Sequence, residues 1–224
     1  MFDFLKLSDL PTSHARLLRC ASSTRPALWA VEKEGARAVV KDYSANRFVY
    51  RNTVGRFLAW REKRAYQRLG GLKGIPKFYR VIDGLALVIE EIEGTHLEGL
   101  EKVERLSGGF FARMRSLVEG VHRRGMAHCD LKRAPNTLLG KDGQPYIIDW
   151  CASISENEFR IYPLNRIYRR FILDDLNAIT KLQMRHCPES VSPEQRRQYD
   201  QRSLAEKVIR RVRDRLRDLL QKVA

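Results

Sequence analysis

The sequence has no C-x-x-C pair; its four cysteines, Cys20, Cys129, Cys151 and Cys187, stand far apart. Isolated thiols lack the spacing of a zinc site and suit a reducing compartment better than a disulfide framework. Long apolar runs are missing too. The longest, Leu85 to Ile89, falls far short of the ~20 residues that a membrane-spanning helix needs. The opening residues, Met1 to Lys6, lack the basic and then apolar segments of a secretory signal. Acidic residues are scarce beside basic ones: 27 Asp and Glu against 42 Lys and Arg give a formal charge of +15 over 224 residues. That excess predicts attraction to an anion, whether nucleotide, nucleic acid, membrane face or phosphorylated glycan, and does not choose among them. The expected setting is cytoplasmic, with peripheral contact at the inner membrane.

What is present is ordinary for a globular chain, with 43% hydrophobic and 31% charged residues and no internal repeat. The first part reads as strands. Leu28–Glu32 and Ala38–Tyr43 flank a Gly-containing turn, and Lys77–Ile82 and Leu85–Glu90 flank Asp83-Gly84, a strong hairpin signal. Between these pairs, Phe57, Leu58, Trp60, Tyr66 and Leu69 punctuate a charged helix that stops at Gly70-Gly71. A hinge is expected over residues 92–99. Beyond it, Ser107 can cap a helix carrying Phe110, Phe111, Met114, Leu117, Val118 and Val121. Thr137–Leu139 and Tyr146–Ile148 then form another hairpin, and the chain is helical from about Phe171, interrupted at Pro188 and Pro193. The order predicts an α+β protein in two lobes, residues 1–94 and 95–224.

The chemistry concentrates between His128 and Leu139, a polar loop followed at Ile147–Trp150 by an Asp ending an apolar strand. Two carboxylates and an amide joined by a hairpin make a hard-oxygen site suited to magnesium and phosphate. A carboxylate beside an alcohol also supplies a proton acceptor for phosphoryl transfer.

These residues resemble the protein-kinase-like superfamily. His128-Cys129-Asp130-Leu131-Lys132 matches the catalytic loop H-R-D-L-K, and Asn136 and Asp149 match its two metal-holding positions. Val39-Val40-Lys41 matches the third-strand lysine, with Glu62 as its helical partner. The resemblance implies a two-lobed kinase-like fold with a small β-rich N-lobe and a mostly helical, truncated C-lobe. It implies ATP and Mg2+ as cofactors, Asp130 as catalytic base, Lys132 steadying the γ-phosphate, Lys41 and Glu62 serving the nucleotide, and Asn136 with Asp149 binding the metal.

Four departures narrow the likeness. Asn136 follows Asp130 by six residues instead of five, which places an extra residue between Lys132 and Asn136. Asp149-Trp150-Cys151 stands where D-F-G would, and Ala21–Pro26 occupies the place of the glycine-rich loop. No A-P-E follows. These features resemble a compact bacterial branch, the RIO-type kinases and the lipopolysaccharide-core (Kdo and heptose) sugar kinases. The acceptor expected first is a sugar of an anionic glycolipid; a protein serine or threonine is the alternative, and a pseudokinase or basic nucleic-acid-binding module is a third reading. No specific nucleic-acid partner is expected.

Several residues admit two readings. Ser22, Ser23 and Thr24 can donate to phosphate or form a plain polar turn. Glu62 can pair with Lys41 or with its basic neighbours at the surface. His128 props the loop, and either Asp174 or Asp175 can brace that loop or simply sit as a helix charge. The stripe Leu204, Val208, Val212, Leu216, Leu219 and Val223, ringed by arginines, reads either as a membrane-binding helix or as a docked terminal one. Arg160, Arg166, Arg169 and Arg170 add to the expected basic surface.

Overall fold

The computed structural model describes residues 2, 5–10 and 15–201; the terminal stripe from Leu204 to Val223 lies outside them. Two compact units emerge, with divisions after Lys63, Pro76 and Glu91, so that Arg64–Pro76 belongs with Ile92–Gln201.

The first unit is built on an antiparallel sheet of order β1-β2-β3-β5-β4, comprising β1 Ala15–Arg19, β2 Ala27–Lys33, β3 Ala36–Asp42, β4 Phe78–Ile82 and β5 Ala86–Glu90. Its two tight hairpins turn on consecutive positive-φ residues, Glu34-Gly35 (53° and 76°) and Asp83-Gly84 (50° and 68°), the backbone that matches strand twist. In β3, Ala38 and Val40 point into an apolar cluster with Phe2, Leu5, Leu10, Val31, Ile82 and Val88. Period-two alternation therefore sends Lys41 to the other face. A helical turn α1, Phe48–Tyr50, runs through a π-helical segment Arg51–Gly55 into α2, Arg56–Leu69. The wider π turn lets Tyr50 and Gly55, five residues apart, both face inward, and Ala59 and Glu62 continue that buried line.

The second unit centres on two helices, α3 Gly108–Arg123 and α4 Leu164–His186. Ser107 caps α3, its Oγ accepting from the Phe110 N–H at 3.4 Å, and the predicted stripe from Phe110 to Val121 is buried. Three short strands form a sheet of order β6-β8-β9: β6 Gly94–His96, β8 Thr137–Gly140 and β9 Pro145–Ile147. The residues expected as a hinge thus contain a strand of this unit. A two-residue pairing joins β7 Met126–Ala127 to β10 Ile154–Ser155, and α5 Pro193–Asp200 follows a Ser192/Gln195 capping box. α4 begins seven residues before the expected Phe171, because Leu164–Arg170 is too basic to show an apolar period.

No helix among the described residues is long and apolar enough to cross a membrane. All four cysteines are free thiols.

Gly74 has φ +90° and its carbonyl accepts from the Ile147 N–H at 2.9 Å. A Cβ there would stand 2.5 Å from Leu117 Cδ2 and 2.6 Å from the Pro145 oxygen. Gly74→Ala is expected to lower stability by at least the ~1–3 kcal/mol of a strained left-handed residue, read by urea denaturation. His186 supplies a pH test. It is 1% exposed, and its Nδ1 accepts from the Leu106 N–H at 3.2 Å. Burial lowers its pKa, with the Glu101 carboxylate opposing. A depressed folded pKa contributes stability that is present above the unfolded value of about 6.5 and lost as pH falls through the folded one. Thermal midpoints should therefore drop on acidification below about pH 6.5, and less so in His186→Gln.

Candidate functional site

The catalytic-loop residues lie in the second unit, and their support comes from α4. Asp175, 1% exposed, accepts from the backbone N–H groups of His128 at 2.7 Å and Cys129 at 2.9 Å, and from His122 Nε2 at 3.2 Å. Its neighbour Asp174 instead pairs with Arg170 at 3.1 Å. Cys129 sits at φ +68°, a costly conformation for a side-chain-bearing residue, and Asp175 holds its amide there. His128 completes the frame. Its Nδ1 accepts from the Asp130 N–H at 3.3 Å, so Nε2 donates to the Ile148 carbonyl at 3.0 Å. Trp150, fully buried, packs edge-on against that ring at 4.6 Å.

Asp130 and Asn136 are joined directly. Asn136 Nδ2 donates to the Asp130 carbonyl at 3.0 Å and reaches its Oδ2 at 3.5 Å. The extra loop residue is absorbed by two successive turns, Arg133 N to Asp130 O and Asn136 N to Arg133 O, the second within the 3-10 segment Ala134–Asn136. Arg133, which the sequence reading passed over, lies in that longer interval and sets its Nε 3.1 Å from Asp130 Oδ2. Lys132 is exposed on the same loop.

The β8–β9 register, Thr137 opposite Ile147, continues one step to set Asn136 opposite Ile148, whose N–H donates to the Asn136 carbonyl at 3.0 Å. Asp149 comes next, at φ +66°, before the 3-10 turn Trp150–Ala152. The hairpin therefore brings the base of Asn136 and Asp149 together. With its amide nitrogen turned to Asp130, Asn136 keeps its carbonyl oxygen as a hard donor, one backbone step from Asp149 through its bond to Ile148. Among the described residues no group of three or more His, Cys, Asp or Glu could cage a metal. An amide and a carboxylate fit magnesium, which takes one or two protein oxygens and completes its shell with phosphates and water.

In the first unit, Lys41 Nζ donates to Glu62 Oε1 at 2.6 Å, with side chains 12% and 0% exposed. Removing one partner of a buried pair leaves the other charge uncompensated, typically costing ~3–5 kcal/mol. Ser22, Ser23 and Thr24 lie in the β1–β2 connection, a turn closed by Ser22 N to Arg25 O at 3.0 Å. Asn46 Nδ2 donates to the Ser22 and Arg25 carbonyls at 2.6 and 3.1 Å, and the Tyr50 hydroxyl donates to Thr24 O at 2.8 Å. Side-chain tethers from outside the turn thus fix a loop that has no glycine.

In comparison with known families, the model of the RIO domain matches residues 32–195. That span holds Lys41, Glu62, the loop at Asp130 and Asp149, and excludes Ser22–Thr24. The match agrees with a kinase-like α+β chain. No match was found among the curated proteins.

Asp175→Ala would orphan the buried His128 N–H, worth about 1–3 kcal/mol, and the half-buried Cys129 N–H. Urea denaturation should show a large loss for Asp175→Ala and ~0–1 kcal/mol for Asp174→Ala, whose ion pair is partly exposed. Equal losses would mean that the loop is not hung from Asp175.

Proposed function

The chain belongs to the RIO-domain family, and from that premise we propose that it is an ATP- and magnesium-dependent kinase acting on a serine or threonine hydroxyl of a protein. The observation that carries the proposal is the bonded set Asp130–Asn136–Ile148, which holds a carboxylate, an amide and the approach to Asp149 in one small frame. Asp130 accepts the proton of the acceptor hydroxyl as its oxygen bonds to the γ-phosphorus, and the bond to the β-phosphate oxygen breaks to release ADP. Asn136 and Asp149 hold magnesium, whose chemistry is to neutralise charge on the phosphates. Lys132 steadies the transferred group, and Lys41, ordered by Glu62, serves nucleotide binding. Ser22, Ser23 and Thr24 offer donors to phosphate from their tethered turn. Free thiols and an ATP donor fit a cytoplasmic setting.

A sugar hydroxyl of lipopolysaccharide core is the second reading. It is favoured by the short passage from Asp149 to α4, only residues 150–163, which leaves little chain for docking a peptide. The RIO-domain match lends nothing to that acceptor.

Purified protein with labelled ATP and magnesium, offered protein substrate, lipopolysaccharide core or neither, separates the two. Asp130→Asn is expected to lower transfer ~10²–10⁴-fold while nucleotide binding persists. Label on core sugar alone would replace the protein acceptor. Nucleotide binding with no transfer to either would leave a pseudokinase.

A further inference from the structure

The outer face of the helical run from α1 into α2 has a composition that the catalytic reading does not use. Phe48 and Val49 are 70% and 68% exposed, and Phe57 and Trp60 are 50% and 48% exposed. Exposed positions 49, 53, 57 and 60 recur every three or four residues, with exposed 48 and 56 beside them, so they share one side of the helix, opposite Ala59 and Glu62. The rings of Phe57 and Trp60 lie 5.9 Å apart. Arg51 stands over the Phe48 ring at 5.3 Å and Arg61 over Phe57 at 5.7 Å. From Arg47 to Arg61 there are four arginines and no Asp or Glu. The acids that bracket the run, Asp42 and Glu62, are both buried.

We propose that this face docks on an anionic lipid bilayer, with Phe48, Val49, Phe57 and Trp60 entering at headgroup depth and the arginines on lipid phosphates. Aromatic side chains prefer the boundary between hydrocarbon and water, and basic residues are drawn to an anionic surface. The cation–π stacking keeps guanidinium groups beside the rings, so charge and apolar surface arrive together. Charge complementarity selects the lipid over a second copy of this chain, since two copies would oppose arginine to arginine. Val49, 68% exposed among the aromatic rings, favours hydrocarbon over nucleic acid, for which an aliphatic side chain offers no stacking plane.

The test is cosedimentation of the full chain with vesicles of 30% phosphatidylglycerol in phosphatidylcholine, against pure phosphatidylcholine and against structured RNA, across a salt series. Binding to the anionic vesicles is expected, weakening as salt rises. Phe57→Ser with Trp60→Ser should weaken it about tenfold or more at an unchanged thermal midpoint. Arg47→Gln with Arg61→Gln should also weaken it, which keeps a result available if the serine variant folds poorly. Trp60→Phe should retain binding and lose the vesicle-induced blue shift in tryptophan emission. Vesicle binding indifferent to these substitutions would assign it to another basic segment and overturn the proposal. So would binding to RNA alone, binding to neither, or a dimer in sedimentation velocity that the serine variant dissociates.

Discussion

A buried carboxylate that spends itself on backbone amides organises the second unit. Asp175 sits in the middle of α4 and receives hydrogen bonds from the first two residues of the His128 loop and from a histidine of α3. An unpaired carboxylate in that position would be prohibitive, so folding must deliver all of its partners at once. The loop, α3 and α4 are therefore assembled as a single unit. His128 passes the constraint onward, one ring nitrogen to Asp130 and the other to the strand end at Ile148. Order in the loop thus comes from groups that have no part in the proposed reaction.

The first unit solves a related problem differently. Lys41 lies on the face of β3 opposite the apolar cluster, and Glu62 lies on the buried line of α2, so a charge pair forms inside a unit whose strands are otherwise sealed by Ala, Val and Leu. Helix phase matters here. The π segment at Arg51–Gly55 shifts the buried positions so that Tyr50 reaches the Thr24 carbonyl while Glu62 still reaches Lys41. One added residue per turn reconciles two tethers that a uniform α-helix would set out of phase.

Legibility in the sequence followed the range of the signal. The hairpins at Asp83-Gly84 and Lys141–Gln144, the Ser107 cap and the stripe of α3 were plain, because each is fixed by a few adjacent residues. Strands β6, β7 and β10 were not, since two or three residues carry no alternation and owe their state to partners far along the chain. The Lys41–Glu62 and Asn136–Asp149 relationships rested on ordered motifs, whereas composition alone gave only a basic globular chain. Choosing Asp175 over Asp174 required the phase of α4, which its basic opening hides. Arg133 gave no sign beyond the longer interval, and the tethers from Asn46 and Tyr50 to the Ser22–Thr24 turn act across more than twenty residues.

The placement of these anchors also bears on how freely the loop can vary in length. Upstream of Asp130 the chain is pinned at His128 and Cys129, and downstream it is pinned where Asn136 meets Ile148. Only the stretch between is slack, and there the chain coils into two successive turns. An insertion in that stretch changes the coil without moving either post. One placed a single residue before His128 would shift both amides off Asp175 and slide the whole frame out of register. Tolerance to insertion in this molecule therefore has a sharp edge at Asp130, and a chain lengthened on the far side of that edge keeps the same supports.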